Sequence, residues 1–221
     1  LLIADKKHIT SFRRLTDYLD NKNLLVFNDT KVMPAIIKGK IRNSSIKITL
    51  HTKNTKGLWT AFANPSKKVD DGDVIIFENE LRAKIEKKKN KEIVIKFNFS
   101  DRELVNYLIR YGSLPVPPYI KKKEQEEKVR VNYQTIFAKN LGAFACPTAG
   151  LHFDDYIIND ITKKCIDIVN VTLHVGAGTF LPLADNKIDN NFLHKEKGII
   201  SYLASKKIKK AMSDGKKIVA V

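Results

Sequence analysis

Between Ala35 and Phe97 six short β-like runs follow one another, at 36–41, 46–50, 58–63, 74–77, 81–85 and 93–97, separated by clusters of Asn, Ser, Gly, Asp and Lys. Short strands at this spacing, joined by turn-forming residues, specify a compact β-barrel or sandwich. Helix and strand patterns resume after position 97, so the β unit reads as an insertion and not as a terminal module. The expected fold class is α/β: a mixed α/β domain, 1–34 and 114–221, interrupted by an inserted small β-barrel domain, 35–113.

On the N-terminal side, 1–4 resembles the tail of a strand, 10–20 a short helix with Phe12, Leu15 and Leu19 inward, and 24–27 a buried strand. Asn28, Asp29 and Thr30 then form a polar turn at that strand's carboxyl end. Beyond the barrel, Ser100 and Glu103 make a capping box for a helix carrying Leu104, Leu108 and Ile109 and ending at Gly112. The proline-rich stretch 114–120 is expected to be an extended, stiff crossing between domains, and 121–130 a charged surface loop. Asp154 caps a further helix whose buried stripe is expected to be Ile157, Ile158, Ile161 and Cys165. A strand over 166–174 follows, with Gly176 and Gly178 marking the turn at its end. Ser201 caps a last helix reaching about Ser213, and the chain enters a strand at 218–221. A chain that opens and closes on strands is expected to be incomplete at both ends.

With 43% apolar residues in 221, a sizeable core can be buried. No run of roughly eighteen apolar residues occurs, and Asp5, Lys6 and Lys7 interrupt the N-terminal Leu-Leu-Ile, so neither a membrane span nor a signal peptide is expected. Cys146 and Cys165 are the two cysteines and lack C-x-x-C spacing, which indicates no metal site and no disulfide framework and fits a reducing, cytoplasmic setting. The formal charge of +16 points to a polyanionic partner, most commonly nucleic acid. Seven of the 40 basic residues are Arg, and the abundance of Lys, Ile and Asn together is also what A+T-rich coding produces.

Small, flexible and ionisable residues gather between Gly142 and Phe180. His152 precedes a helix N-terminus, and His174 sits at the carboxyl end of a strand, where ligands collect in open α/β sheets. Histidine moves protons near neutral pH, and glycine lets a ligand approach backbone. A Gly-x-Gly taken alone is a weak signal, because simple turns use the same residues.

Five blocks stand out along the chain: Leu24-Leu-Val-Phe-Asn-Asp-Thr-Lys-Val-Met-Pro34, Tyr111-Gly-Ser-Leu-Pro-Val-Pro-Pro-Tyr-Ile120, Tyr133-Gln-Thr135, Gly142 with Pro147-Thr-Ala-Gly-Leu-His-Phe153, and Thr172-Leu-His-Val-Gly-Ala-Gly-Thr-Phe180. Together they resemble those of the S-adenosylmethionine:tRNA ribosyltransferase-isomerases of queuosine biosynthesis. The chain departs from the family pattern at Lys47, Val129, Val131 and Asn191-Phe-Leu-His194.

The resemblance implies an α/β domain interrupted by a β-barrel and transfer of the ribosyl part of S-adenosylmethionine onto 7-aminomethyl-7-deazaguanine at the tRNA wobble position. The products are epoxyqueuosine, adenine and methionine. S-adenosylmethionine is then a consumed substrate, with no other cofactor and no metal, and a monomer is expected. Candidate proton-transfer residues are His152, His174, His194, Glu196 and Asp29. Candidate substrate-binding residues are Asn28, Thr30, Arg130, Tyr133, Gln134, Pro147, Thr148, Ala149, Gly150, Gly176, Gly178 and Thr179. The alternative expectation is a truncated, catalytically silent relative that binds tRNA through its basic surface.

Overall fold

A computed structural model of the chain describes residues 1–3, 7–117, 126–176 and 196–221. The fold is mixed α/β with a closed six-stranded barrel. In chain order the first elements are β1 (Leu2–Ile3), β2 (His8–Ile9), a 3-10 helix (Phe12–Tyr18), β3 (Asn23–Asn28) and β4 (Thr30–Val32). The barrel strands are β5 (Ile36–Ile41), β6 (Ser44–Lys53), β7 (Trp59–Asn64), β8 (Val74–Ile76), β9 (Arg82–Lys89) and β10 (Glu92–Phe97), followed by α1 (Asp101–Tyr111) and α2 (Glu126–Asn132). Then come β11 (Asn140–Ala143), a 3-10 helix (Thr148–His152), α3 (Asp155–Lys163), β12 (Asp167–His174), β13 (Lys197–Ile199), α4 (Tyr202–Ser213) and β14 (Lys217–Ala220). The described residues fall into two compact units: those within 1–31, 132–175 and 196–221 form one, and those within 32–131, with Gly176, form the other.

In the first unit the strands are ordered β13-β12-β3-β14, with β3 parallel to both β12 and β14, and β13 antiparallel at the edge. A parallel strand in the middle of such a sheet is covered on both faces, so it is apolar at every position and does not alternate. Leu24 to Phe27 meets that requirement. Leu25 and Phe27 pack with Phe153, Ile157, Ile161 and Ile166 beneath α3, and Leu24 packs with Val169, Ala204 and Ala211 beneath α4. Phe12, Leu15 and Leu19 close the α3 side, as their spacing predicts, but from a 3-10 helix.

The second unit is built on strands that do alternate. Ile46, Ile48 and Leu50 of β6 point into the barrel and Lys47 points out. The strands pair in the order β10-β7-β6-β5-β8-β9, and β9 closes on β10. Small residues at Ala61, Ala63 and Ala83 alternate with Ile37, Ile85, Ile93 and Ile95 to fill the interior. The β6–β7 register shifts between Leu50 and Thr52, so His51 is the extra residue of a bulge. It is buried directly after Leu50 and stacks on Phe62 at 4.5 Å between ring centroids.

Three expectations are corrected. Cys165 is exposed, not part of the α3 stripe. It occupies the left-handed position just past the helix (φ 53°), where Cys165 N–H donates to Thr162 O at 3.0 Å and Ile166 N–H to Ile161 O at 3.1 Å. This is a Schellman stop, stapled by the Ile161–Ile166 contact. Gly215 (φ 72°) occupies the same position after α4, with the matching bonds to Met212 O and Ala211 O. Ile109 is 48% exposed, and Tyr107 takes the buried place on α1. Residues 126–130 are helical, within α2, and not loop; 121–125 lie outside the described residues. The Ser100–Glu103 capping box and the Asp154 and Ser201 caps form as expected. Among the described residues, no helix is long and apolar enough to cross a membrane.

The two helix stops make a paired test by urea denaturation. A non-glycine residue in the left-handed region costs about 1–2 kcal/mol, so Gly215→Ala is expected to lower stability by about 1 kcal/mol and Cys165→Gly to raise it by a smaller amount. Ile161→Ala, which empties a fully buried site, is expected to cost ~2–5 kcal/mol.

Candidate functional site

Strands β3 and β12 run parallel with Val171 opposite Asn28, so their carboxyl ends finish side by side. The side chain of Asn28 extends the ladder by one step. Its Nδ2 donates to Leu173 O at 2.8 Å, and its Oδ1 accepts from Leu173 N–H at 2.9 Å and from Thr30 N–H at 3.1 Å. The amide thus stands in for backbone on one side and turns the chain on the other.

That turn buries Asp29. Its Oδ1 accepts from Thr172 Oγ1 at 2.6 Å and from Asn140 Nδ2 at 3.0 Å, and Asn140 Nδ2 also lies 2.9 Å from Thr172 Oγ1. Its main chain is equally engaged: the N–H donates to Val171 O at 2.9 Å, and the carbonyl accepts from Lys139 and Asn140 N–H at 2.8 and 3.0 Å. Asp29 therefore ties β3, β11 and β12 together. A buried carboxylate needs such donors to offset desolvation.

Thr30 is fully buried and places Oγ1 2.7 Å from Nδ1 of His174, with Asn140 O at 3.5 Å as acceptor for its hydroxyl proton. The other flank of the ring is set by Gly142, where a Cβ would fall 2.7 Å from His174 Cε1 and 2.8 Å from Nδ1. Backbone thus lies flat against the imidazole, and no larger residue fits without moving it. Burial, and then the charge of Lys197, hold the His174 pKa below the ordinary histidine value, with Asp29 opposing them. Lys197 pairs with His174 across β13, and Glu196 immediately precedes it. At neutral pH the arrangement presents an uncharged imidazole with Nδ1 engaged, the form a general base takes.

The structure brings Asn28, Asp29, Thr30 and His174 into one cluster, with Glu196 beside the strand that borders it. His152 is exposed and packs against Phe12 in a tilted pair, 5.1 Å between centroids. Pro147, Thr148 and Ala149 lie at the outer start of the same 3-10 helix, Pro147 half-buried and the other two exposed. Gly150 is buried where a Cβ would meet Thr135 Cγ2 at 2.8 Å, so packing accounts for that glycine. Tyr133 is buried and Gln134 half-buried in the α/β unit. Arg130 belongs to the barrel-containing unit, where its guanidinium donates to Ile109 O at 2.8 Å and to Gly112 O, capping the end of α1. Gly176 follows β12, whereas Gly178, Thr179 and His194 lie outside the described residues.

Asn140, Gly142, Thr172 and Lys197 complete the cluster and were not singled out as site residues. Thr172 and Gly142 stand within or beside the motif blocks, which was the available signal. Asn140 and Lys197 carry none, because only tertiary pairing brings them to His174. Cys146 is buried, and burial pushes its thiol pKa up to about 11. Among the described residues no group of three or more His, Cys, Asp or Glu gathers to hold a metal ion.

Because folded His174 binds a proton less readily than the unfolded chain, its contribution to stability is complete above the ordinary value of about 6.5 and is lost as pH falls through the folded value. Lys197→Gln is expected to raise the midpoint of the His174 Cε1–H titration followed by NMR. An unmoved midpoint would leave burial as the whole cause.

The family model described as Queuosine biosynthesis protein matches residues 1–221. Relatives named S-adenosylmethionine:tRNA ribosyltransferase-isomerase include one from Rhodospirillum rubrum, 38% identical over 94% of this chain and 60% of its own length. Another, from Rickettsia bellii, is 36% identical over 100% of this chain and 67% of its own length. One from Allorhizobium ampelinum is 39% identical over 100% and 63%. The chain thus spans about three-fifths to two-thirds of the length of these relatives. A crystal structure of an S-adenosylmethionine tRNA ribosyltransferase from Thermotoga maritima is similar with a TM-score of 0.34 and 23% identity, over 95% of this chain and 55% of that one. With a family match running from the first residue to the last and relatives above one-third identity, the chain belongs to the queuosine biosynthesis protein family.

Proposed function

We propose that the chain carries part or all of an S-adenosylmethionine:tRNA ribosyltransferase-isomerase, acting in the cytoplasm on tRNA that bears 7-aminomethyl-7-deazaguanine at the wobble position. S-adenosylmethionine is the consumed substrate, and the products are epoxyqueuosine in tRNA, adenine and methionine. The observation that carries this reading is the His174 imidazole, anchored by Thr30 at the carboxyl ends of two parallel strands in a chain of this family.

In this scheme a base takes a proton from the carbon beside the sulfonium, the ribose C4′–O bond breaks, and the oxygen left on C1′ expels adenine as C1′ becomes an aldehyde. The aminomethyl nitrogen of the modified base then adds at C4′, the carbon beside the sulfonium closes on C1′ to make the five-membered ring, and the C1′ oxygen displaces methionine to close the epoxide. His174 is assigned the first proton. The tautomer assigned to it has Nδ1–H donating to Thr30 Oγ1, 2.7 Å away, which leaves the lone pair on Nε2. Asp29, bound by Thr172 and Asn140, is assigned to positioning, because its Oδ1 already accepts two hydrogen bonds. Glu196 and His194 are assigned to later proton transfers, and Gly176, Gly178 and Thr179 to substrate contact. Arg130, with two donors on the end of α1, is assigned to holding that helix.

Incubation with the modified tRNA and S-adenosylmethionine is expected to release adenine in step with the mass increase of the wobble nucleoside. His174→Gln is expected to slow adenine release by at least ~100-fold, the scale of general-base catalysis, while leaving tRNA affinity within about twofold. His152→Ala is expected to have a far smaller effect. Binding of tRNA without adenine release from the unsubstituted protein would favour a silent, RNA-binding relative.

A further inference from the structure

The outer face of the barrel carries a charge pattern that the fold does not explain. Lys38 of β5 stands directly opposite Lys47 of β6 in the antiparallel register, and Lys40 lies one step along the same face, opposite Ser45. Like charges placed across a strand pair destabilise a sheet. The barrel does neutralise other cations: Arg42 pairs with Asp73 at 2.8 Å and Lys53 with Asp101. Among the described residues, Lys38, Lys40 and Lys47 have no carboxylate partner.

These three lysines line a depression of about 560 Å³ with Asn64, Ile76 and Phe77. Gly39 lies between Lys38 and Lys40 with its open side turned inward, where a Cβ would fall 2.7 Å from the Phe77 ring, so close packing of β5 on Phe77 accounts for that glycine. A second depression of about 450 Å³ shares Lys38 and Glu78 with the first and continues to Arg110, Tyr111 and Arg130. The two adjoin at Lys38 and Glu78 within the barrel-containing unit and are taken together as one groove. Five cations face two carboxylates, Glu78 and Glu127, along it. Tyr111 is 39% exposed; its ring packs on Tyr107 at 4.8 Å between centroids, and the guanidinium of Arg110 lies over it, 5.3 Å from its centroid.

We propose that this groove binds a strand of RNA, with Lys38, Lys40 and Lys47 on successive phosphates and a base stacked on Tyr111 beside Arg110. Unpaired lysines at strand spacing supply sequence-independent attraction to phosphate, and an exposed aromatic next to them supplies the stacking platform that single-stranded nucleic acid uses. Cations set in two adjoining depressions suit a strand better than a flat lipid surface. The proposal rests on the reading of tRNA as substrate and gives it a docking face.

The test measures fluorescence anisotropy of a labelled tRNA transcript with the 221-residue chain from 0.05 to 0.3 M salt. Lys38→Gln/Lys40→Gln/Lys47→Gln is expected to weaken binding at least tenfold at 0.1 M salt and to flatten the log–log salt slope by about 2, near the ~0.7 to 0.9 that each phosphate contributes. Lys67→Gln/Lys87→Gln/Lys89→Gln removes the same charge from other exposed barrel positions and is expected to weaken binding less than threefold. Tyr111→Leu is expected to weaken it about tenfold with the slope unchanged. The thermal midpoint of the groove variant is expected to match or exceed that of the parent, since a repulsion is removed; a lower midpoint would contradict the unfavourable Lys38–Lys47 pairing on which the argument stands. Equal losses from both triple variants would overturn the groove in favour of diffuse charge. Binding by the parent with an unaltered groove variant would overturn the groove alone. No binding by the parent would overturn the tRNA reading with it. Loss of binding to phosphatidylserine vesicles with RNA affinity intact would assign the face to membrane.

Discussion

The α/β unit depends on the parallel pairing of β3 with β12, continued one residue further by the side chain of Asn28. Because β3 is buried on both faces, its register is fixed by two independent packings, one under α3 and one under α4. Register in turn decides which residues arrive together at the carboxyl end. A slip of one position would move Asp29 away from the Thr172 hydroxyl, and leaving a buried carboxylate short of a donor is costly. Core packing and site geometry are therefore coupled through a single strand pair.

Around that pair, polar groups are used in layers. Asp29 anchors Thr172 and Asn140; Asn140 and Thr30 then fix the ring of His174; Gly142 supplies a flat wall. The layer nearest the solvent is the histidine, and everything beneath it has its hydrogen bonds directed inward. This order gives a rigid support and one titratable group whose charge state is set by burial and by Lys197, as proton transfer requires.

What could be read from the chain follows from which forces act locally. The barrel was legible because strand periodicity and turn residues are written in consecutive positions, and so were the Ser100, Asp154 and Ser201 caps. The run from Leu24 to Phe27 was legible because burial on both faces leaves no polar position. The segment 126–132 gave no helical signal, since its charged residues show no apolar stripe, and Cys165 looked like core because a four-residue spacing cannot reveal a left-handed turn. Asn140 and Lys197 gain their place only from strands that meet in space. Arg130 sits in a recognisable block, yet its donors go to α1 carbonyls that no linear reading connects with it.

The two cysteines make a natural chemical handle. One is sealed in the core, its thiol held in the protonated, unreactive form by burial, while the other stands exposed at the left-handed stop after α3. A thiol-directed probe should therefore couple at a single place without any engineering. It would sit at the junction of α3 and β12, the opposite end of β12 from His174, and would report on the sheet without touching the site.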